Sequence, residues 1–153
     1  MKYLPVGLDV RDRICIVVGG GQIGTRKVAN LLRAGAAVTV ISPLVSDEVG
    51  ILAEKEEIQW LRREIRGGDL AGAFLTVAAT ENEEVNALVV RDALDAGSLV
   101  CDASSAARSQ VIFGALLEGE GVTLAVFTDG QDPARARKTR DRIAALEEDW
   151  KEE

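Results

Sequence analysis

A glycine-rich turn between a strand pattern and a helix pattern constrains this 153-residue chain more than any other feature. Residues 14–18 (ICIVV) form an apolar, β-branched run that is typical of a buried parallel strand. Residues 19–24 (GGGQIG) follow at once, and residues 25–34 then carry apolar side chains at helical spacing, closed by Gly35. A strand, a G-x-G-x-x-G turn and a helix in this order indicate a Rossmann-type α/β fold.

The pattern continues through the first two thirds of the chain. Further strands are predicted at 37–41, where Pro43 is expected to stop the strand, and at 58–61, 74–79 and 99–101. Helices are predicted at 45–55 with Ser46 as N-cap, and from a cap at Thr80 or Asn82 to residue 96. The order β-α-β-α-β-β-α-β is typical of a doubly wound parallel sheet.

The last quarter of the chain does not continue the alternation of strands and helices. A strand is predicted at 122–127, and Asp132-Pro133 is typical of an N-cap followed by proline at the first helical position, here opening a charged helix at 134–150. We therefore predict a Rossmann domain at 1–113 and a small α+β segment at 114–153. Such a segment is too short to bury a core alone, so we expect it to pair with a second copy as a dimerisation segment.

Composition excludes several classes of function. The net charge of −7 argues against a nucleic-acid partner, and no apolar run is long enough to cross a membrane. The chain has no histidine and only two cysteines, both in apolar runs, so neither a metal site nor a disulfide is expected. No targeting segment is visible, and we expect a cytoplasmic protein.

The glycine positions predict a dinucleotide site. Gly19 permits the tight turn, Gly21 lets backbone approach a pyrophosphate, and Gly24 lets helix and strand pack closely, while the helix N-terminus faces the phosphates. Ser42 stands where many such proteins place an acidic residue for the ribose hydroxyls, and it could still donate one hydrogen bond there. Because no arginine adjoins Ser42 in the sequence, NAD is favoured over NADP.

Several motifs together resemble the precorrin-2 dehydrogenase/sirohydrochlorin ferrochelatase module of siroheme synthases. The resemblance covers residues 1 to about 147. Its specific part is the glycine loop with Arg26-Lys27 and, further on, Ala78-Ala79-Thr80 with Val85-Asn86 behind it. The other matching pieces are Tyr3-Leu4-Pro5, LLRAGAAVTVISP at 31–43, Ile112-Phe113, and Gly130 with Pro133 leading into a basic helix.

This resemblance implies a function and a set of site residues. Family members oxidise precorrin-2 to sirohydrochlorin with NAD⁺, some also insert Fe²⁺ or Co²⁺, and they are homodimers. By analogy, the cofactor site is lined by the glycine loop and by further residues at Gln22, Ile23, Pro43, Leu44 and Thr80. The polycarboxylate substrate suits the basic helix, so Arg137, together with Asn86, is a candidate for substrate contact.

The chain departs from the family pattern where a catalytic aspartate is expected. Alignment through Ile112-Phe113 puts Ser104 at that position, and Asp102 lies two residues earlier, on the same side of an extended strand. Asp102 is therefore a candidate substitute, with Ser104 as a weaker one. Thr128 retains a hydroxyl where the family has a serine-rich turn and is the third catalytic candidate.

Three functions fit these features. The first is NAD-dependent oxidation of precorrin-2, in which the cofactor carries the chemistry and the protein binds, orients and handles one proton. The second adds ferrochelation, against which the replaced aspartate and the lack of histidine count. The third is a non-catalytic dinucleotide sensor, favoured by the same replacement and by the short C-terminus.

Overall fold

A computed structural model of the chain describes residues 1–119 and 121–146. The first part alternates strands and helices in the predicted order, and it confirms the Rossmann-type α/β fold. Its elements are β1 (Ile14–Gly20), α1 (Gln22–Arg33), β2 (Ala37–Val45), α2 (Asp47–Glu54), β3 (Gln59–Leu61), β4 (Leu75–Ala78), α3 (Glu83–Asp95) and β5 (Leu99–Asp102).

The five strands form one parallel sheet in the order β3-β2-β1-β4-β5. The chain builds outward from β1 through β2 to β3, then crosses to the other side of β1 for β4 and β5. The strand order therefore reverses between β1 and β4, and ligands of open parallel sheets bind outside the carboxyl ends of the strands at such a point.

The core of this sheet is aliphatic. Ile16 and Val18 of β1, Ile41 of β2 and Val100 of β5 pack with Val89 of α3 in one buried cluster. Cys15 and Cys101 are buried and free, and burial raises the pKa of the Cys15 thiol to about 11. Both cysteines thus serve as small core residues rather than as nucleophiles.

Two element bounds differ from the sequence-based prediction. Helix α1 begins at Gln22 rather than at residue 25, so the second half of the glycine loop is its first turn. Strand β2 continues through Pro43 to Val45, where Val45 pairs with Gly20. Proline is tolerated because the neighbouring strand β3 ends at Leu61, opposite Ile41, and needs no N–H from residue 43.

The chain divides into two compact units, Pro5–Val111 and a second unit of Met1–Leu4 with the residues from Ile112 onward. The second unit contains an antiparallel pair, β6 (Ala115–Gly119) and β7 (Val122–Val126), and α4 (Pro133–Ala144). Asp132 caps α4 and Pro133 follows it, as predicted. The helix ends at Ala144 rather than at residue 150, because its hydrogen bonding closes at Ala145; residues 147–150 of the predicted helix lie outside the described residues.

The second unit has almost no core of its own. Among its described residues, 1–4, 112–119 and 121–146, Ala136 is the only buried apolar residue. Across the whole described chain, no helix has the length and apolarity that a membrane span requires.

Candidate functional site

The glycine loop is held in place by contacts that only glycine permits. Gly19 has a φ of 109°, and a Cβ there would lie 2.4 Å from the carbonyl oxygen of Ala79 at the end of β4. A Cβ on Gly24 would lie 2.1 Å from the carbonyl oxygen of Gly19. Both distances are far below any real contact, so these two glycines close the turn against β4 and bring α1 onto β1.

Gly21 is different, because it faces open space. Nothing lies within 4 Å of a Cβ built there, and its φ of −75° is one that any residue can adopt. Gly21 is the N-cap of α1 and supplies no side chain to it, whereas Ser46, Asn82 and Asp132 cap the other three α-helices of the described chain with side-chain oxygens. The first N–H groups of α1 are thus available to an anion.

An exposed rim surrounds this helix start. Gln22 and Ile23 are exposed in the first turn of α1, and Pro43 and Leu44 are exposed at the end of β2. Gly20 lies against Leu44 and Val45, where a Cβ would be 2.6 Å from the Leu44 carbonyl oxygen. An open backbone cradle with apolar side chains beside it fits the pyrophosphate and the flat rings of a dinucleotide.

Ser42 is less open than the sequence suggested. It is buried, and its hydroxyl donates to the carbonyl oxygen of Leu44 at 2.6 Å. Its own carbonyl accepts from the Trp60 indole N–H at 2.9 Å, and the Arg62 guanidinium lies 5.3 Å from the centre of that indole. An arginine therefore lies on this edge in space although none adjoins Ser42 in sequence; the pairing of Ile41 with Leu61 brings it there.

Thr80 and Asn86 form one unit at the end of β4. The Asn86 side-chain oxygen accepts from the N–H of Thr80 at 3.0 Å and from its hydroxyl at 2.7 Å. The Asn86 amide nitrogen donates to the Thr80 carbonyl at 3.0 Å and to the Ser104 hydroxyl at 3.2 Å. All four hydrogen-bonding positions of this buried amide are occupied, so Asn86 fixes the backbone that lies against Gly19.

Asp102, at the end of β5, is enclosed by donors. One carboxylate oxygen accepts from the N–H of Ser104 at 2.8 Å and from its hydroxyl at 2.6 Å; the other accepts from Nε of Arg108 at 2.7 Å. The Asp102 side chain has no exposed surface. Burial by itself would raise its pKa, but the hydrogen bonds from Ser104 and Arg108 outweigh burial, and the net pKa is lowered.

Arg108 is the part of this cluster that the sequence did not reveal. It closes a 3₁₀ turn at Ala106–Arg108, and its remaining guanidinium nitrogens contact the Ser104 hydroxyl at 3.3 Å and the Glu83 carboxylate at 3.2 Å. We call Asn86, Asp102, Ser104 and Arg108 the β5 cluster. Only the pairing of β4 with β5 brings Asn86 to the other three, and no spacing in the sequence indicates that.

The remaining two candidates lie in the second unit. The Thr128 hydroxyl donates to the carbonyl of Asp132 at 2.8 Å and accepts from its N–H at 3.2 Å, which fixes the turn before α4. Arg137 is exposed on α4. On the same helix, Asp141 pairs with its neighbour Arg140.

Three comparisons place these features among known proteins. A family model described as putative NAD(P)-binding matches residues 6–115. The solved structure of SirC, a precorrin-2 dehydrogenase, is 31% identical with a TM-score of 0.84, covering 96% of this chain and 72% of that one.

Curated relatives agree. Siroheme synthase 1 of Aeromonas salmonicida and the siroheme synthase of Mannheimia succiniciproducens are each 36% identical over 146 residues. Each match covers 95% of this chain and 31% of the relative, so the chain spans about a third of the length of these proteins. The family match and the dehydrogenase structure support a nicotinamide dinucleotide as the cofactor.

Proposed function

This chain belongs to the putative NAD(P)-binding family and is similar to the precorrin-2 dehydrogenase SirC, and from that premise we propose that it oxidises precorrin-2 to sirohydrochlorin with NAD⁺. The observation that carries the proposal is the open, uncapped start of α1 at the point where the strand order reverses. That cradle suits a dinucleotide, and the similarity to SirC and to siroheme synthases supports the reaction in which the dinucleotide is used.

The residues around the cradle have distinct tasks. The backbone of Gly21 and Gln22 holds the pyrophosphate, and Ile23 and Leu44 cover the apolar parts of the cofactor. Thr80, fixed by Asn86, forms the wall on the β4 side. The bound nicotinamide supplies the hydride acceptor, so the protein's own contribution is to bind, orient and exclude water.

We propose NAD rather than NADP as the cofactor. Residues 41–45 at the end of β2 contain no arginine or lysine, and Arg62 on the neighbouring edge already packs over Trp60. Calorimetric titration should show tighter binding of NAD⁺ than of NADP⁺. Equal or tighter NADP⁺ binding that is lost in Arg62→Ala would reverse the choice and identify Arg62 as the ligand of the 2′-phosphate.

We propose that iron or cobalt insertion is slow or absent. Removing pyrrole protons needs an accessible acceptor, and Asp102 has its carboxylate covered by Ser104 and Arg108. Asp102 and Ser104 therefore support the site more readily than they exchange protons with a substrate, and the catalytic role of Thr128 stays a prediction.

The protein is also proposed to be a homodimer joined through its second unit. β6, β7 and α4 leave most apolar side chains only partly covered within one chain, and Ala136 alone is buried among the described residues there. A second copy would complete this core. Sedimentation at micromolar concentration should give a dimer, and a stable monomer would contradict this.

The test of the reaction is spectroscopic. Purified protein, NAD⁺ and anaerobic precorrin-2 should yield the absorbance spectrum of sirohydrochlorin, and adding Fe²⁺ or Co²⁺ should give no metallation above the spontaneous rate. Dinucleotide binding without oxidation would instead support a sensor. Rapid metallation that disappears in Asp102→Ala would make the protein bifunctional and Asp102 its proton acceptor.

A further inference from the structure

The guanidinium of Arg108 is held firmly at Nε and more weakly at its two outer nitrogens. Its Nε bonds the buried Asp102 carboxylate at 2.7 Å, while Nη1 and Nη2 make longer contacts, to Glu83 at 3.2 Å and to Ser104 at 3.3 Å. About a third of the Arg108 side chain is exposed, against none of Asp102 and 73% of Glu83. Nε of the arginine is thus bound to a buried carboxylate, whereas Nη1 contacts the exposed carboxylate of Glu83.

Its position relates it to the cofactor loop. Arg108 contacts Ser104, Ser104 accepts from the Asn86 amide, and Asn86 holds Thr80, whose backbone lies against Gly19. Two side chains, those of Ser104 and Asn86, therefore separate the arginine from Thr80, and Arg108 lies beyond the carboxyl end of β5, the strand that pairs with β4. Substrates of open parallel sheets bind outside this edge.

We propose that Arg108 binds a carboxylate of the tetrapyrrole, and that Glu83 occupies its place until substrate displaces it. This rests on the proposed function, which supplies a polycarboxylate substrate. A guanidinium can hold a carboxylate through two parallel N–H donors, and Nη1 and Nη2 present such a pair once Glu83 moves away.

The other members of the β5 cluster are positioning residues in this arrangement. Asp102 fixes Nε and neutralises the buried side of the guanidinium, and Ser104 and Asn86 hold Asp102 and its turn in register with β4. This gives the serine at the expected aspartate position a definite task. It donates to Asp102 and accepts from Asn86 and Arg108, three contacts that an ionised aspartate could not all make.

Glu83 provides the sharpest test because changing it leaves the buried contacts intact. Glu83→Gln removes the competing carboxylate, and Glu84→Gln, the next residue in the first turn of α3, removes an equal charge that does not touch Arg108. Sirohydrochlorin binding, measured by absorbance titration without cofactor, should tighten at least about threefold in Glu83→Gln and clearly less in Glu84→Gln. Equal effects would mean long-range charge alone and would overturn the proposal.

Arg108→Gln should change sirohydrochlorin affinity in the opposite direction to Glu83→Gln. Sirohydrochlorin binding should weaken by about tenfold or more, consistent with loss of a charge-assisted pair, while NAD⁺ affinity is unchanged. Arg91→Gln is the matched control, since Arg91 lies on α3 and pairs only with its neighbour Asp92 among the described residues. In turnover, Arg108→Gln should raise KM for precorrin-2 more than it lowers kcat, and unchanged affinity and KM would refute the assignment.

Two further outcomes separate this inference from the proposed function. Wild-type protein that binds sirohydrochlorin with the expected variant pattern, yet does not oxidise precorrin-2, retains the Arg108 site and loses the dehydrogenase assignment. Wild-type protein that oxidises precorrin-2 without any response to Arg108→Gln or Glu83→Gln retains the function and loses the site. Wild-type protein that neither binds nor oxidises tetrapyrrole refutes both.

Discussion

The ends of β1 and β5 lie on the same edge of one sheet, yet the N–H groups that start the helix after β1 lack side-chain partners in the described part of the chain, and the polar groups after β5 are hydrogen-bonded to one another. After β1, the first turn of α1 has no side-chain cap and faces open space at Gly21. After β5, the Asp102 carboxylate accepts from three donors and has no exposed surface. One strand end offers unmet hydrogen-bonding capacity to a ligand; the other uses its capacity internally.

This difference indicates that the end of β1 is suited to bind a ligand, whereas the end of β5 stabilises the structure around it. Backbone donors without partners are costly unless water or a ligand satisfies them, which is why an uncapped helix start is a good anion site. A satisfied buried network instead fixes geometry, and its groups are poorly placed for exchange with a substrate. Arg108 has both properties, because its Nε bonds the buried Asp102 while its Nη1 contacts the exposed Glu83.

The largest expected effect is on stability and comes from a side chain placed where α1 packs against the glycine loop. Gly24→Val should destabilise the fold by about 3 kcal/mol or more, because the new Cβ would lie 2.1 Å from the Gly19 carbonyl oxygen, which is backbone and cannot yield cheaply. Gly50→Val is the matched control, a helical glycine with open space around it, and should change stability by less than about 1 kcal/mol. Urea unfolding measures both, and similar losses would show that the tight packing of Gly24 does not matter.

An intermediate effect tests the closed end. Asp102→Asn should cost about 2 kcal/mol at pH 7, since it removes a charged hydrogen-bond acceptor from Arg108 and Ser104. The folded pKa of Asp102 is lowered, so its contribution is complete above the ordinary aspartate pKa of about 3.9 and disappears as pH falls through the folded value.

Urea unfolding of both proteins at a series of pH values measures this. The gap between wild type and Asp102→Asn should narrow progressively below about pH 4. A gap that stays constant down to the most acidic pH at which the protein folds would show that the carboxylate charge contributes nothing.

The smallest expected effect is the change in stability when α1 receives a side-chain N-cap. Gly21→Ser should raise stability by a few tenths of a kcal/mol, because φ at this position suits any residue and the hydroxyl can accept from the helix start. The same hydroxyl then competes with the pyrophosphate, so NAD⁺ affinity should fall. Gly21→Ala, which adds a Cβ without an acceptor, should weaken binding without the gain in stability.

The features predicted correctly from sequence are local ones. The glycine turn, the caps at Ser46, Asn82 and Asp132, and the order of strands and helices all depend on residues a few positions apart. Such patterns are written in the chain because their hydrogen bonds close within one turn. The family resemblance, carried by the same short motifs, was confirmed as well.

The features that sequence could not reveal depend on neighbouring strands. The extension of β2 through Pro43 depends on β3 ending early, and the enclosure of Asp102 depends on Asn86 arriving from α3 and Arg108 from the 3₁₀ turn. The sequence predicts that Ser42 is available to a ribose hydroxyl, but its hydroxyl donates to the carbonyl oxygen of Leu44. Arg62 comes near through the pairing of β2 with β3. The extension of β2, the arrival of Asn86 and the approach of Arg62 follow from the pairing of strands, which local patterns do not encode. The bonds of Ser42 to Leu44 and of Asp102 to Arg108 are closer in sequence, but they depend on the conformation of the chain after each strand.

The open start of α1 as the dinucleotide site is tested most directly by calorimetric titration of NAD⁺ into Gly21→Val, with Gly50→Val and wild type beside it. A branched side chain at residue 21 enters the space that the pyrophosphate needs, and its Cβ has no protein atom within 4 Å. We predict that Gly21→Val unfolds at the wild-type temperature and binds no measurable NAD⁺, while Gly50→Val binds normally. A folded Gly21→Val protein with unchanged NAD⁺ affinity would contradict the assignment of this loop as the cofactor site.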